Sequence, residues 1–214
     1  MPNSKQDFSL KDARLTASAA DFKPDDFTAW HKSRTRFGVW YALIDDAGVQ
    51  HCQKMQAQFD KWLHHDYRRQ FHITLFVNGF YVPNAQSFDE VDDTLITRQL
   101  AALHAQNLAS FDVPSVGVGA FMNSLHLRLS YHHSFDVIRR TLAATHAEIS
   151  PSEYVPHITL GLYRGRFLLD DVLSDICRTL TPQATFSVRA LIFGSYDPCD
   201  LQGVLTPHFT LELS

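Results

Sequence analysis

The sequence predicts an α+β fold made of two similar lobes, and three observations carry that prediction. A strand–helix–strand pattern occurs twice, as strand 37–44, helix 49–64 and strand 71–80, and again as strand 124–130, helix 134–147 and strand 153–163. The closing strand of each set holds the same tetrapeptide, His72-Ile73-Thr74-Leu75 in one and His157-Ile158-Thr159-Leu160 in the other. Their separation is too long for a stacked solenoid repeat and suits a duplicated lobe.

Each element has a local reason. Residues 1–30 are polar, mixed in charge and interrupted by Pro24 and Asp25-Asp26, which marks an N-terminal arm or short helical preamble packed through Phe22, Phe27 and Trp30. Residues 31–214 then form a single domain of two lobes. The run FGVWYALI at 37–44 is aromatic and β-branched enough for a buried strand, stopped by Asp45-Asp46. Val49, Cys52, Met55, Phe59 and Leu63 follow at helical spacing. After strand 71–80, a helix over 87–106 enters through Ser87, with Glu90 completing a capping box. Strands 112–121 and 124–130 form a hairpin through Met122-Asn123, and Ser134 is the expected cap of the next helix. A helix over 168–180 stops before Pro182, and strands at 185–195 and 208–213 close the chain.

Composition narrows the function. Formal net charge is −4, from 19 basic and 23 acidic residues, which argues against a long duplex nucleic acid and suits a small or short anionic ligand. Cys52, Cys177 and Cys199 show no paired spacing, so neither a disulfide framework nor a cysteine-rich zinc site is expected. The N-terminus lacks a signal-like apolar run, and no stretch approaches the ~20 apolar residues of a membrane helix. A cytoplasmic, monomeric protein without membrane attachment is the expectation.

Strand geometry then organises the chemistry. Residues i and i+2 point to one face, so His72 and Thr74 share a face while Ile73 and Leu75 face the core. His157 and Thr159 repeat the arrangement. Two lobes packed about a pseudo-twofold axis set two imidazoles and two hydroxyls across a cleft. Such a set suits phosphodiester cleavage, since imidazole changes protonation near neutrality and serves as base or acid. Hydroxyls, backbone N–H groups or an arginine hold the phosphate oxygens. No carboxylate-rich ligand set surrounds either motif, so no metal or other cofactor is expected.

The paired HITL segments resemble the two His-x-Thr-hydrophobic motifs of the 2H phosphoesterase superfamily, which includes the RNA 2′,3′-cyclic phosphodiesterases also called 2′-5′ RNA ligases. The resemblance covers roughly residues 36–213 in element order and, in identity, the two tetrapeptides. It implies a bilobal α+β fold with two antiparallel sheets facing a central groove, helices outside and a pseudo-twofold duplication. It also implies that His72 and His157 are the catalytic pair and that Thr74 and Thr159 bind phosphate. The implied substrate is a nucleotide or RNA end bearing a cyclic phosphate. The expected direction is His157 as base and His72 as acid.

Other positions follow from strand parity. His126 and Arg128 share the non-core face of strand 124–130, where Arg128 either contacts phosphate or base or points to solvent. One of Trp40 and Tyr41 faces the groove, and Tyr41 is the preferred stacking residue. Tyr163 shares the catalytic face if its strand stays regular, with Gly161 either leaving room for a ligand or marking a bulge. Arg164 and Arg166 stand at the strand's end, either attracting anions or solvated.

Overall fold

The alternation that puts Ile73 and Ile158 on one face of their strands places both strands at the centre of the molecule. The computed structural model describes residues 15–18, 28–149 and 153–214. Its elements are α1 (Thr28–His31), β1 (Phe37–Leu43), α2 (Asp46–Gln58), β2 (His72–Tyr81), β3 (Glu90–Val91), α3 (Asp93–His104), β4 (Phe111–Ala120), β5 (Ser124–Leu129), α4 (His133–Ala143), β6 (His157–Leu162), α5 (Leu169–Arg178), β7 (Thr185–Val188), β8 (Ala190–Tyr196) and β9 (Thr206–Glu212).

The strands lie in the order β7-β4-β5-β6-β2-β1-β8-β9, with β3 paired to β2 in parallel. The other named pairings are antiparallel. The order is symmetric about the β6–β2 junction, with β1–α2–β2 on one side and β5–α4–β6 on the other. The duplicated strand–helix–strand unit is thus present as topology. The expected pair of facing sheets is instead one path of strands, joined at its middle by the single pair Ile73–Ile158.

Beyond that pair the two central strands part, and their inner edges need other partners. Tyr154 Oη donates to the Thr74 carbonyl (3.1 Å) and Arg139 Nη1 to the Leu75 carbonyl (2.7 Å). The Val77 N–H donates to Glu148 (3.1 Å), and the Ile149 N–H to the Val77 carbonyl (3.0 Å). On the β6 side Gln56 Nε2 donates to the Leu160 carbonyl (2.7 Å) and the His64 N–H to the Leu162 carbonyl (2.9 Å). Each lobe therefore fills the gap left by the other's central strand.

Trp40, Ala42, Ile73, Leu75, Ile158 and Leu160 belong to the main core. Phe37, Val39, Tyr41, Phe80 and Ile192 make a smaller cluster on the opposite face of the sheet, joined by Ile149. Several local expectations are corrected. Asp45 begins α2 as its cap, accepting from the Gly48 N–H, rather than merely ending β1. Ser87 and Glu90 cap no helix, because Ser87 turns to Asp89 and Glu90 enters β3; Asp92 caps α3 instead. His132, not Ser134, caps α4 by accepting from the Ser134 N–H. The strand expected at 185–195 breaks at Arg189, with β7 pairing β4 and β8 pairing β1 on the other half of the sheet.

Of the expected N-terminal arm, Phe22 and Phe27 lie outside the described residues. Leu15 bridges Leu168 and the Ala17 N–H donates to the Met122 carbonyl, which fastens residues 15–17 beside the β4–β5 turn. Trp30 packs on Phe37 and Phe80 with ring centroids 5.4 and 4.9 Å away. Among the described residues no helix is long and apolar enough to cross a membrane.

Candidate functional site

The Ile73–Ile158 register fixes the site. In an antiparallel pair directly opposed residues share a face, so His72 stands across from Thr159, and Thr74 across from His157. The two isoleucines are fully buried in the core. The four polar side chains line one cavity of about 290 Å³ on the other face. The structure thus brings together all four polar residues of the two motifs.

Both rings are oriented in the same way. His72 Nδ1 lies 2.7 Å from the Gln70 carbonyl, and His157 Nδ1 lies 2.7 Å from the Val155 carbonyl. A carbonyl only accepts, so each Nδ1 carries the hydrogen and each neutral ring keeps its lone pair on Nε2. Loop backbone two residues upstream, just before each strand, sets the tautomer in both lobes. His72 is further held by Tyr41, edge-on at 5.7 Å between ring centroids.

Burial disfavours the charged form of each ring. His72 is pushed down to about 4, chiefly by desolvation and further by the Arg69 and His157 charges, against the pull of the Gln70 carbonyl. Desolvation also lowers His157, opposed by the Val155 carbonyl. Both rings are therefore neutral near pH 7.

Four residues that sequence reasoning left unassigned stand here. His126 lies across from Thr159, stacks on Phe121 at 3.8 Å and meets the His157 ring edge-on at 5.4 Å. Desolvation, followed by the His157 and Arg128 charges, takes it down to about 3. The alternation Leu125-His126-Leu127-Arg128-Leu129 placed it on the right face; the site's position beside β5 was the missing information. Phe121 also meets His157 edge-on at 5.0 Å. Tyr67 and Arg69, from the loop before β2, line the same cavity.

The aromatic expectations need correction. Tyr41 does face the groove side, but it is 1% exposed, and burial pushes its phenol up to about 12. It supports His72 and offers no open face for a base. Tyr163 is fully buried in the main core. Leu125 pairs with Gly161 but His126 pairs with Thr159, so β6 bulges at Leu160 and every later side chain changes face. Leu162 reaches the cavity in its place. Arg128 is exposed and lies across from His157, but its stem crosses Gly119, so it lines neither of the cavities described. Arg164 and Arg166 are likewise exposed and outside these walls.

A second cavity of about 270 Å³ opens from the first through the shared Thr74, Val77, Phe121 and His157. Its wall is polar and braced. Arg139 Nη2 pairs with Glu148 (2.6 Å), and its guanidinium lies 4.2 Å from the Tyr154 ring centroid. Among the described residues no three His, Cys, Asp or Glu side chains are arranged to hold a metal ion.

The buried imidazoles bear on stability. An unfolded chain binds protons at histidine below about pH 6.5, whereas folded His72 and His126 bind them only near 4 and 3. The unfolded state thus takes up more protons between those values, and stability rises with pH across the window. The contribution is complete above pH 6.5 and is lost as pH falls towards 4. Urea unfolding from pH 4 to 7 is expected to show that rise, with a shallower slope in His126→Gln. An identical slope in the variant refutes this account of His126.

A comparison with curated proteins gives no match. Solved structures with similar folds include Escherichia coli LigT complexed with phosphate, at 14% identity and a TM-score of 0.54, covering 85% of this chain and 99% of that one. Thermus thermophilus TT0787 is similar at 14% identity and 0.55, covering 83% and 97%. Kluyveromyces marxianus Usb1 is similar at 14% and 0.55, covering 85% and 100%. At such identities the likeness speaks for the fold. A family model described as the 2′-5′ RNA ligase superfamily matches residues 42–200, a span that contains both HITL strands and the helices packed on them. The chain belongs to the 2′-5′ RNA ligase superfamily of 2H phosphoesterases.

Proposed function

We propose that the protein hydrolyses 2′,3′-cyclic phosphates of nucleotides or RNA ends to 2′-phosphates, without a metal, by a two-histidine acid–base mechanism. The observation that carries this reading is the cross-strand square of two Nε2 atoms and two threonine hydroxyls, fixed by one strand register. One neutral imidazole takes a proton from water as its oxygen bonds to phosphorus. The bond from phosphorus to the 3′-oxygen breaks, and the second, protonated ring gives its proton to that oxygen. Thr74 and Thr159 donate to the non-bridging oxygens, where charge accumulates in the transition state.

One ring must be charged for this cycle, and the phosphate anion favours that form by its own charge. Arg69 and deeper burial make His72 the harder ring to protonate. That order supports His72 as base and His157 as acid, the reverse of the direction expected from sequence. The second cavity, with Phe121 at its mouth, suits the nucleoside. The complexes of Escherichia coli LigT with phosphate and with 3′-AMP support a nucleotide ligand.

A panel of 2′,3′-cyclic nucleotides, 2′,5′-linked dinucleotides and ADP-ribose cyclic phosphate, assayed in EDTA, tests the reading. Turnover of the cyclic nucleotides to 2′-phosphates is expected, with EDTA without effect. Loss of turnover in EDTA refutes the metal-independent mechanism. Tight binding of AMP or RNA ends with no product from any substrate identifies a binding module instead.

A further inference from the structure

Arg69 reaches the cavity beside His72 and Tyr67, and its surroundings are unusual for a half-buried arginine. Its Nε donates to the Gly203 carbonyl (2.9 Å), its Nη2 makes a longer contact with the Asp200 carbonyl (3.5 Å), and the guanidinium lies 3.9 Å from the Tyr196 ring centroid. None of these partners supplies a carboxylate. Arg34, Arg68, Arg139 and Arg178 each pair with one, whereas Arg69 forms no ion pair among the described residues. A partly desolvated cation without a counter-ion is unfavourable until an anion joins it.

A purely structural role explains the arrangement poorly. The loops carrying Arg69 and Gly203 are already tied twice by Gln70, whose Nε2 donates to the Leu205 carbonyl (3.0 Å) and whose Oε1 accepts from the Leu205 N–H (2.8 Å). Arg68 adds a salt bridge to Asp200 (2.7 Å). A tether needs no third contact and no uncompensated charge facing a cavity.

We propose that Arg69 is a further catalytic residue, whose guanidinium donates to a non-bridging phosphate oxygen beside the Tyr67 hydroxyl. The assignment rests on the phosphoesterase reading and adds to it a fixed positive charge, which neither histidine nor threonine supplies. Its carbonyl contacts and the Tyr196 ring hold the planar group still, so its charge acts on the transition state without reorganisation. A guanidinium also matches two phosphate oxygens at once, which lysine does not.

The test compares wild type with Arg69→Ala, Arg69→Gln, Arg69→Lys and Arg68→Ala. It measures turnover of a 2′,3′-cyclic nucleotide, calorimetric binding of inorganic phosphate and thermal melting. Arg69→Gln retains an amide donor for the Gly203 carbonyl, which guards against loss of the loop. Both Arg69→Ala and Arg69→Gln are expected to lower kcat/KM by roughly 10²–10³ and to weaken phosphate binding about tenfold or more. The acid limb of the kcat/KM profile moves to higher pH as His72 loses its cationic neighbour, and added guanidinium ion partly restores Arg69→Ala. Arg69→Lys retains part of the activity, and Arg68→Ala changes little. Wild-type kcat/KM and phosphate affinity in Arg69→Gln overturn the proposal and leave the phosphoesterase reading intact. A wild type that turns over nothing and binds no phosphate overturns both.

Discussion

His157→Ala is expected to lose about 10²–10⁴ in kcat on a 2′,3′-cyclic nucleotide and to recover most of it on a p-nitrophenyl phosphodiester. His72→Ala is expected to lose as much on both. The difference follows from the role proposed for each ring. A ribose oxygen is a poor leaving group and needs the proton of the acid, while p-nitrophenolate departs without one. The base is required in either case, because water must be deprotonated as it attacks. His72 suits the base because burial against Tyr41 and the nearby Arg69 charge keep its Nε2 unprotonated. Recovery of His72→Ala rather than His157→Ala on the activated ester restores the direction expected from sequence. Full activity of both variants on both substrates removes the histidines from the mechanism.

Glu148→Ala is expected to cost about 2–4 kcal/mol in stability, far more than an ordinary surface substitution. Glu148 accepts from the Val77 N–H and, through both carboxylate oxygens, from Arg139. Its removal leaves a strand N–H and a guanidinium unsatisfied, with Arg139 still bound to the Leu75 carbonyl. The two side chains are 19% and 14% exposed, so part of the loss is recovered by water and the lower half of the range applies more readily. Glu148→Gln keeps an acceptor for Val77 and is expected to cost about 1 kcal/mol. Urea denaturation of the three proteins decides the matter, and a loss below about 0.5 kcal/mol in Glu148→Ala refutes the bracing role.

Sequence carried the local rules further than the long-range ones. Period-two alternation put His72, Thr74, His157 and Thr159 on one side and their isoleucines on the other, because His72–Thr74 and His157–Thr159 precede the irregularities at Leu75 and Leu160. The same rule failed at Tyr163, since one extra residue at Leu160 reverses the face of everything after it. It succeeded for the direction of Tyr41 but not for its accessibility. Gly194, from β8, approaches so closely that an added Cβ would lie 2.9 Å from the Tyr41 ring. Ser87 and Glu90 had capping-box spacing, yet pairing of Glu90 with Phe80 drew that segment into the sheet. Tyr67 and Arg69 lie in a loop with no periodicity, and their position depends on contacts with residues 200–205. Such contacts leave no mark on local sequence.

The single pair Ile73–Ile158 has a consequence for how the molecule responds to load. Every imidazole in the square faces a hydroxyl contributed by the opposite half of the sheet, so neither half holds a complete receptor. An anion seated there touches both halves and acts as a rivet across the narrowest point of the sheet. Its occupancy resists separation of the halves, and binding strength is thereby converted into mechanical cohesion of the whole chain.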